Sequence, residues 1–108
     1  MASRKVVCRR PLAIDDVTSH SEAIAAYSLE AAFRFLDALE STLDLLSRFP
    51  EAGGVIPVDR KEMEGIRAKL IVGFSHFIIL YCIEENHIDV LRVIRGGQDL
   101  HRISLNAR

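Results

Sequence analysis

Residues 65–94 read GIRAKLIVGFSHFIILYCIEENHIDVLRVI, and the fold turns on this stretch because it resolves into three consecutive strand-like runs. Ile66 to Val72 alternates around Arg67 and Lys69, residues 76–84 read HFIILYCIE, and residues 87–94 read HIDVLRVI. This density of β-branched and aromatic side chains favours extended backbone. Gly73-Phe74-Ser75 and Glu85-Asn86 separate the runs at hairpin lengths, so the three strands are expected to be antiparallel neighbours. The unbroken apolar run Phe77 to Ile83 predicts a central strand with both faces at least partly covered. The last run is ambiguous, since neither of its two alternating sets is cleanly apolar.

What covers such a sheet is written upstream. Leu29, Ala32, Leu36, Leu39, Leu43 and Leu46 recur at steps of three and four, the period of one helical face, with Phe33 and Phe49 widening the stripe. Arg34, Asp37, Glu40, Ser41, Asp44 and Ser47 fall mainly on the other side. Ser28 is a good N-cap and Pro50 a stop, which predicts a helix over 29–49. Ile14, Val17, Ser21 and Ile24 predict a shorter helix over 12–25, with Asp15 and Asp16 in its favourable first turn. Before it, Val6, Val7 and Cys8 form a β-capable run over 4–10 that Pro11 ends. Pro50 to Gly54 is turn-rich, residues 55–64 read as a flexible loop, and 98–105 can form one short helical turn. The element order is β-α-α-β-β-β, an α+β fold with a helical hairpin on a mainly antiparallel sheet.

With 108 residues, the chain is expected to form a single domain over 1–108. Its composition, 49% hydrophobic and 27% charged, is that of a globular protein. No apolar run approaches the roughly 20 residues of a membrane helix, and Met1 to Arg10 lacks the apolar core of a secretory signal, so a cytoplasmic location is expected. A net charge of −1 supplies no global field for phosphate backbones. Cys8 and Cys82 stand apart from any metal or redox spacing and are expected to be buried thiols; neither a metal nor a cofactor is called for.

Three segments carry a family resemblance. Arg48 to Gly54, RFPEAGG, ends the second helix; Gly65 to Tyr81, GIRAKLIVGFSHFIILY, runs through a tight hairpin; Val90 to Leu100, VLRVIRGGQDL, closes the sheet. Their order and spacing resemble the ParE/RelE superfamily of toxins, the last segment being similar to the ParE-like closing motif "vlrVlHgarDl". His76 stands where many relatives carry Arg, Arg95 where the motif has His, and Gln98 where it has Arg. The resemblance implies the toxin of a type II toxin–antitoxin pair, of the kind linked to plasmid stabilisation. It implies inhibition of DNA gyrase by protein–protein contact and neutralisation by a ParD-like antitoxin, without sequence-specific nucleic-acid binding. The alternatives are a RelE-like, ribosome-dependent mRNA endonuclease, or a degenerate module that only binds antitoxin.

No hydrolase, metalloprotease or nucleotide-binding motif is present. RNA-cleaving relatives use basic groups on the sheet to hold the scissile phosphate, and Arg67, His76, Arg92 and Arg95 are the candidates for that role. Arg67 and Lys69 share a face by alternation. As contacts to target or antitoxin the set is Arg67, Lys69, His76, Arg92, Arg95, Gln98 and Asp99. Arg92 and Arg95 have a plainer reading as surface ion pairs with Glu84, Glu85, Asp89 or Asp99, and His20, His87 and His101 read as surface or satisfied polar residues. Antitoxin is expected on the exposed side of both helices and a sheet edge, a strip through which the toxin alone could form a homodimer.

Overall fold

The computed structural model describes residues 4–57, 61–98 and 100–105. Among them β1 (Val6–Arg9), α1 (Pro11–Ala25) and α2 (Leu29–Arg48) precede a short β2 (Gly54–Val55), and then β3 (Arg67–Ile71), β4 (Phe74–Ile83) and β5 (His87–Arg95). The sheet order is β1-β5-β4-β3-β2, with β1 parallel to β5 and the other pairs antiparallel. The three late strands therefore form the meander that their sequence predicts, with β4 between β3 and β5. β4 begins at Phe74 rather than at His76, because Val72 and Gly73 alone make the turn, and Gly73 has a φ of +86° that a side chain would strain. The two-residue β2 lies in the expected loop and carries no period that could announce it.

Pro11 opens α1 with its φ already helical, and the Ser28 hydroxyl caps α2 by accepting from the Ala31 N–H at 3.1 Å. Phe35, Leu39, Leu43 and Leu46 point from α2 into a core with Ile71, Ile79, Tyr81, Ile88, Val90 and Val93 of the sheet. The buried face is rotated from the expected stripe. Phe35 is fully buried, whereas Leu29, Phe33 and Phe49 are more than half exposed, because steps of three and four can be drawn through two adjacent faces of an amphipathic helix. Ser47, expected outside, is buried and satisfies its hydroxyl on the Asp44 carbonyl at 2.7 Å. On α1 the inward residues are Ala13, Val17 and Ile24, while Ile14 is exposed. The first turn of α1 holds no acid; Asp16 serves a different purpose, described below.

The opposite face of the sheet is also covered. Leu80, Leu91 and Ile94 pack with Met63 and Ile66 from the connection before β3 and with Ile103 and Leu105 from the C-terminal segment. Fully buried Met63 pins part of the connection that was expected to be flexible. This second layer explains the apolar run of β4. It also explains the ambiguous pattern of β5, where a bulge lets Leu91 and Arg92 together oppose Leu80 and breaks the two-residue period. Cys8 is exposed on edge strand β1 and Cys82 is half-buried, so neither is the core thiol expected; burial still pushes the Cys82 thiol pKa up, helped by nearby Asp89 and Glu84.

Candidate functional site

The candidate cations do not converge. Arg67 donates to the Gly53 carbonyl at 2.6 Å. Beside it the Tyr81 hydroxyl donates to the Pro50 carbonyl at 2.5 Å and accepts from the Gly53 N–H at 2.9 Å. Thus the second family-like segment clamps the first: Arg67 and Tyr81, paired across β3 and β4, hold the turn that follows α2. Burial pushes the Tyr81 phenol pKa up, against the smaller opposing pull of the N–H that Gly53 donates to it and of the nearby Arg67 charge.

Arg92 is likewise committed to the fold. Its guanidinium makes a two-point pair with Asp16 of α1, at 2.7 and 2.8 Å, and a third bond to the Ser104 carbonyl at 2.7 Å. The side chains are 17% and 14% exposed, so the pair is largely desolvated. Hydrogen bonding to Asp16 pushes the Arg92 pKa upward and keeps it charged. The expected partners Glu84, Glu85 and Asp89 are not used; Asp89 is taken by Arg10 at 2.9 Å, and Asp99 lies outside the described residues, as does the His101 side chain.

Asp16 has a second duty. The registered pairs of β1 with β5 run only as far as Val90, and beyond them β5 has an open edge. There Asp16 accepts from the Val93 N–H at 3.0 Å, and the His20 Nε2 meets the Val93 carbonyl at 2.8 Å. Two side chains of α1 thus stand in for the missing strand. Sequence reasoning missed Asp16; an acid at the fourth to sixth position of an amphipathic helix is too ordinary to point 76 residues downstream.

Among the remaining candidates, Lys69 is half-buried beside Ile79 on β3, and no hydrogen bond or ion pair within the described residues engages its ammonium group. His76 is exposed, and its backbone carbonyl accepts from the Gly96 N–H at 2.6 Å. Arg95 is exposed, its guanidinium 5.8 Å from the centre of the Phe77 ring, and its N–H donates to the Gln98 Oε1 at 3.1 Å. Gly97, with φ +92°, makes the turn there, while Gly96 needs no unusual φ. His76 and Arg95 flank one recess, floored by Phe77 and walled by Ala23, Ile24 and Tyr27 of the hairpin end. It brings together two of the candidate residues, with His20 of α1 completing the lining. Among the described residues no group of three His, Cys, Asp or Glu could hold a metal ion, and no helix is long and apolar enough to cross a membrane.

The comparisons agree with this architecture. The sequence profile of the ParE toxin of type II toxin–antitoxin system, parDE, matches residues 9–100. Among solved structures, the chain is similar to one described as the chromosomal ParDE TA system from P. aeruginosa, with a TM-score of 0.69 and 15% identity, covering 85% of this chain and 96% of that one. At that identity the likeness speaks for the fold. No curated protein sequence matches. The profile covers both helices and every later strand, and with them the contacts of Arg67 with Gly53, of Tyr81 with Pro50 and of Arg92 with Asp16, so the chain belongs to the ParE family, the toxins of type II toxin–antitoxin systems.

Proposed function

We propose that this toxin acts on DNA gyrase by protein–protein contact and is held inactive by a ParD-like antitoxin in the cytoplasm. The observation that carries the reading is the dispersal of the candidate cations. RNA cleavage without a metal needs several basic groups converging on one phosphate, and here Arg67 and Arg92 are tied to Gly53 and Asp16. A mechanism based on a docking surface needs no such convergence. The net charge of −1 favours it too.

The same reading assigns two surfaces. Ile14, Leu29 and Phe33 are 52%, 62% and 59% exposed on the outward sides of the helical hairpin. Leu29 and Phe33, one turn apart, would seat an amphipathic antitoxin helix, and the same strip would serve a homodimer when antitoxin is absent. Lys69, His76, Arg95 and Gln98, free of the clamping contacts, are then the contacts left for target or antitoxin. Arg67 and Arg92 contribute indirectly by holding the scaffold.

The test is induced expression without antitoxin, scoring filamentation and the DNA-damage response against bulk translation and mapped mRNA 5′ ends. Filamentation with intact mRNA, together with loss of supercoiling by purified gyrase, is the expected result. Ribosome-linked cleavage would replace this reading by the endonuclease, and normal growth with a folded chain would leave an antitoxin-binding module.

A further inference from the structure

We infer that two copies of this chain join along the free edge of β1, as an antiparallel pair of β1 strands closed by a disulfide between Cys8 of one copy and Cys8 of the other. The backbone of β1 is the first reason. In a parallel pair, alternate residues turn both N–H and C=O toward the neighbouring strand, and Arg10 donates its N–H to the Val90 carbonyl of β5 at 3.0 Å. Cys8, two residues earlier, therefore faces β5 too, while Val7 and Arg9 turn their N–H and C=O groups outward. Lys5 continues the alternation: its N–H leaves the sheet for the Ser47 carbonyl at the end of α2, at 2.9 Å. Among the described residues no bond engages the outward groups of Val7 and Arg9, so β1 offers both residues to a strand laid beside it.

The two ends of the strand then fix the register of a second copy. Val7 opposite its own counterpart would place Arg9 opposite Lys5, whose N–H is already taken by Ser47. Arg9 opposite its counterpart would place Val7 opposite Pro11, which has no N–H. Val7 opposite Arg9 uses every free group on both strands, and it sets Cys8 opposite Cys8. That position is a non-hydrogen-bonded pair, whose Cα atoms lie about 4.5 Å apart, within the range of roughly 4.4–6.8 Å that a disulfide spans. In its own chain Cys8 has no such mate. Cys82 lies across Asp89, two strands away, about 9–10 Å at the usual strand spacing.

Charge and exposure permit the contact. Arg4, Lys5, Arg9 and Arg10 flank the edge, a row that would repel its own copy if bare. Instead Arg4 pairs with Asp44, Arg9 with Glu40 and Arg10 with Asp89, and the Lys5 ammonium donates to the Glu84 and Glu85 carbonyls. Cys8 is exposed, as is Val6 on the same side of the strand. A contact between four-residue strands falls short of the roughly 1,000 Å² that a lasting interface needs, so the disulfide is what makes it persist. With glutathione disulfide as oxidant, the Cys8 thiolate attacks one glutathione sulfur, breaks its S–S bond and releases a glutathione thiolate. Cys8 of the second copy attacks the Cys8 sulfur of that mixed disulfide and releases the other glutathione. Two protein thiols are oxidised, one glutathione disulfide is reduced, and the two thiol protons end on the two glutathiones. The strip assigned to antitoxin is not used, so this inference stands independently of the gyrase reading.

The full chain, equilibrated at graded ratios of oxidised to reduced glutathione, tests it by peptide mapping under non-reducing conditions and by amide hydrogen exchange. Wild type and Cys82→Ser are expected to give a dimer linked from Cys8 to Cys8, which dithiothreitol returns to monomer, and Cys8→Ser is expected to give none. In the oxidised wild-type dimer the Val7 and Arg9 amides should exchange at least about tenfold more slowly than in the reduced chain, while the Cys8 amide, already bonded to β5, changes little. A monomer carrying glutathione on Cys8, a dimer linked through Cys82, no dimer at any ratio, or a Cys8-linked dimer with Val7 and Arg9 exchanging as fast as in the reduced chain would each overturn the proposal.

Discussion

Gly53 shows how one residue without a side chain can fix a junction. A Cβ there would sit 2.7 Å from both the Ala68 carbonyl oxygen and the Tyr81 hydroxyl, and 2.8 Å from the Tyr81 ring, although the backbone is ordinarily extended. The neighbouring Gly54 has open space around it. Gly53→Ala should therefore destabilise the chain by about 2–3 kcal/mol through overpacking, and Gly54→Ala by less than about 0.5 kcal/mol, a contrast that urea titration of the two variants reads directly. Tyr81 carries the other half of the junction. Because its phenol pKa is raised on folding, the folded state binds its proton more tightly than the unfolded chain, whose phenol titrates near 10. The sign follows: the contribution is complete below about pH 10 and is lost as pH climbs through the folded value. Stability should fall as pH rises above about 10 more steeply in the wild type than in Tyr81→Phe, which is itself weaker at neutral pH by about 1–3 kcal/mol because the Gly53 N–H loses its acceptor. Denaturation curves of the two proteins that shift in parallel with pH would contradict this.

At the scale of elements, α1 works as a substitute strand as much as a helix packed on a sheet. Its Asp16 satisfies the Val93 N–H and neutralises Arg92, which in turn reaches Ser104. Two substitutions separate these duties. Asp16→Asn keeps an oxygen for Val93 but leaves a largely buried guanidinium without its counter-charge, and should cost about 2–4 kcal/mol; Asp16→Ala orphans the Val93 N–H as well and should cost about 1 kcal/mol more. Equal losses would mean that the edge bond contributes nothing, and thermal melts of the two variants decide. The strands other than the two-residue β2, the two helices, the Ser28 cap and the Pro50 stop were legible, because each rests on local chemistry. The contact between Asp16 and Arg92 was not, since a carboxylate on a helix surface looks the same whether it meets water or a guanidinium. The family-like segments were legible as a signature while their role was not: Arg67 and Arg92 read as candidates for chemistry, and together with Tyr81 they turn out to tie segments together. Of the candidate site, sequence alone offered His76 and Arg95, whereas Tyr27 and Phe77 join them only because α1 ends above the open edge of the sheet.

For the molecule as a whole, the decisive feature is that one sheet carries two cores. The helical hairpin covers one face, and the other is covered by segments with hardly any regular structure, the connection holding Met63 and Ile66 and the C-terminal stretch ending in Ile103 and Leu105. Such segments have few backbone bonds of their own, so their order must come from the apolar contacts they make. Ile103 is then a structural residue despite lying near the chain's end. Ile103→Ala should cost about 2–3 kcal/mol, in the range of buried aliphatic truncations, while the same change at half-exposed Ile14 should stay within about 0.5 kcal/mol. The two substitutions also part in function. Ile14 belongs to the strip assigned to antitoxin, so Ile14→Ala should weaken antitoxin binding with stability intact; Ile103→Ala should leave affinity unchanged wherever the variant is folded. Denaturation and antitoxin-binding titrations on the same preparations give both quantities. If Ile103→Ala lowered affinity without lowering stability, the antitoxin would have to reach the second face, and the helical hairpin would no longer suffice as its docking surface.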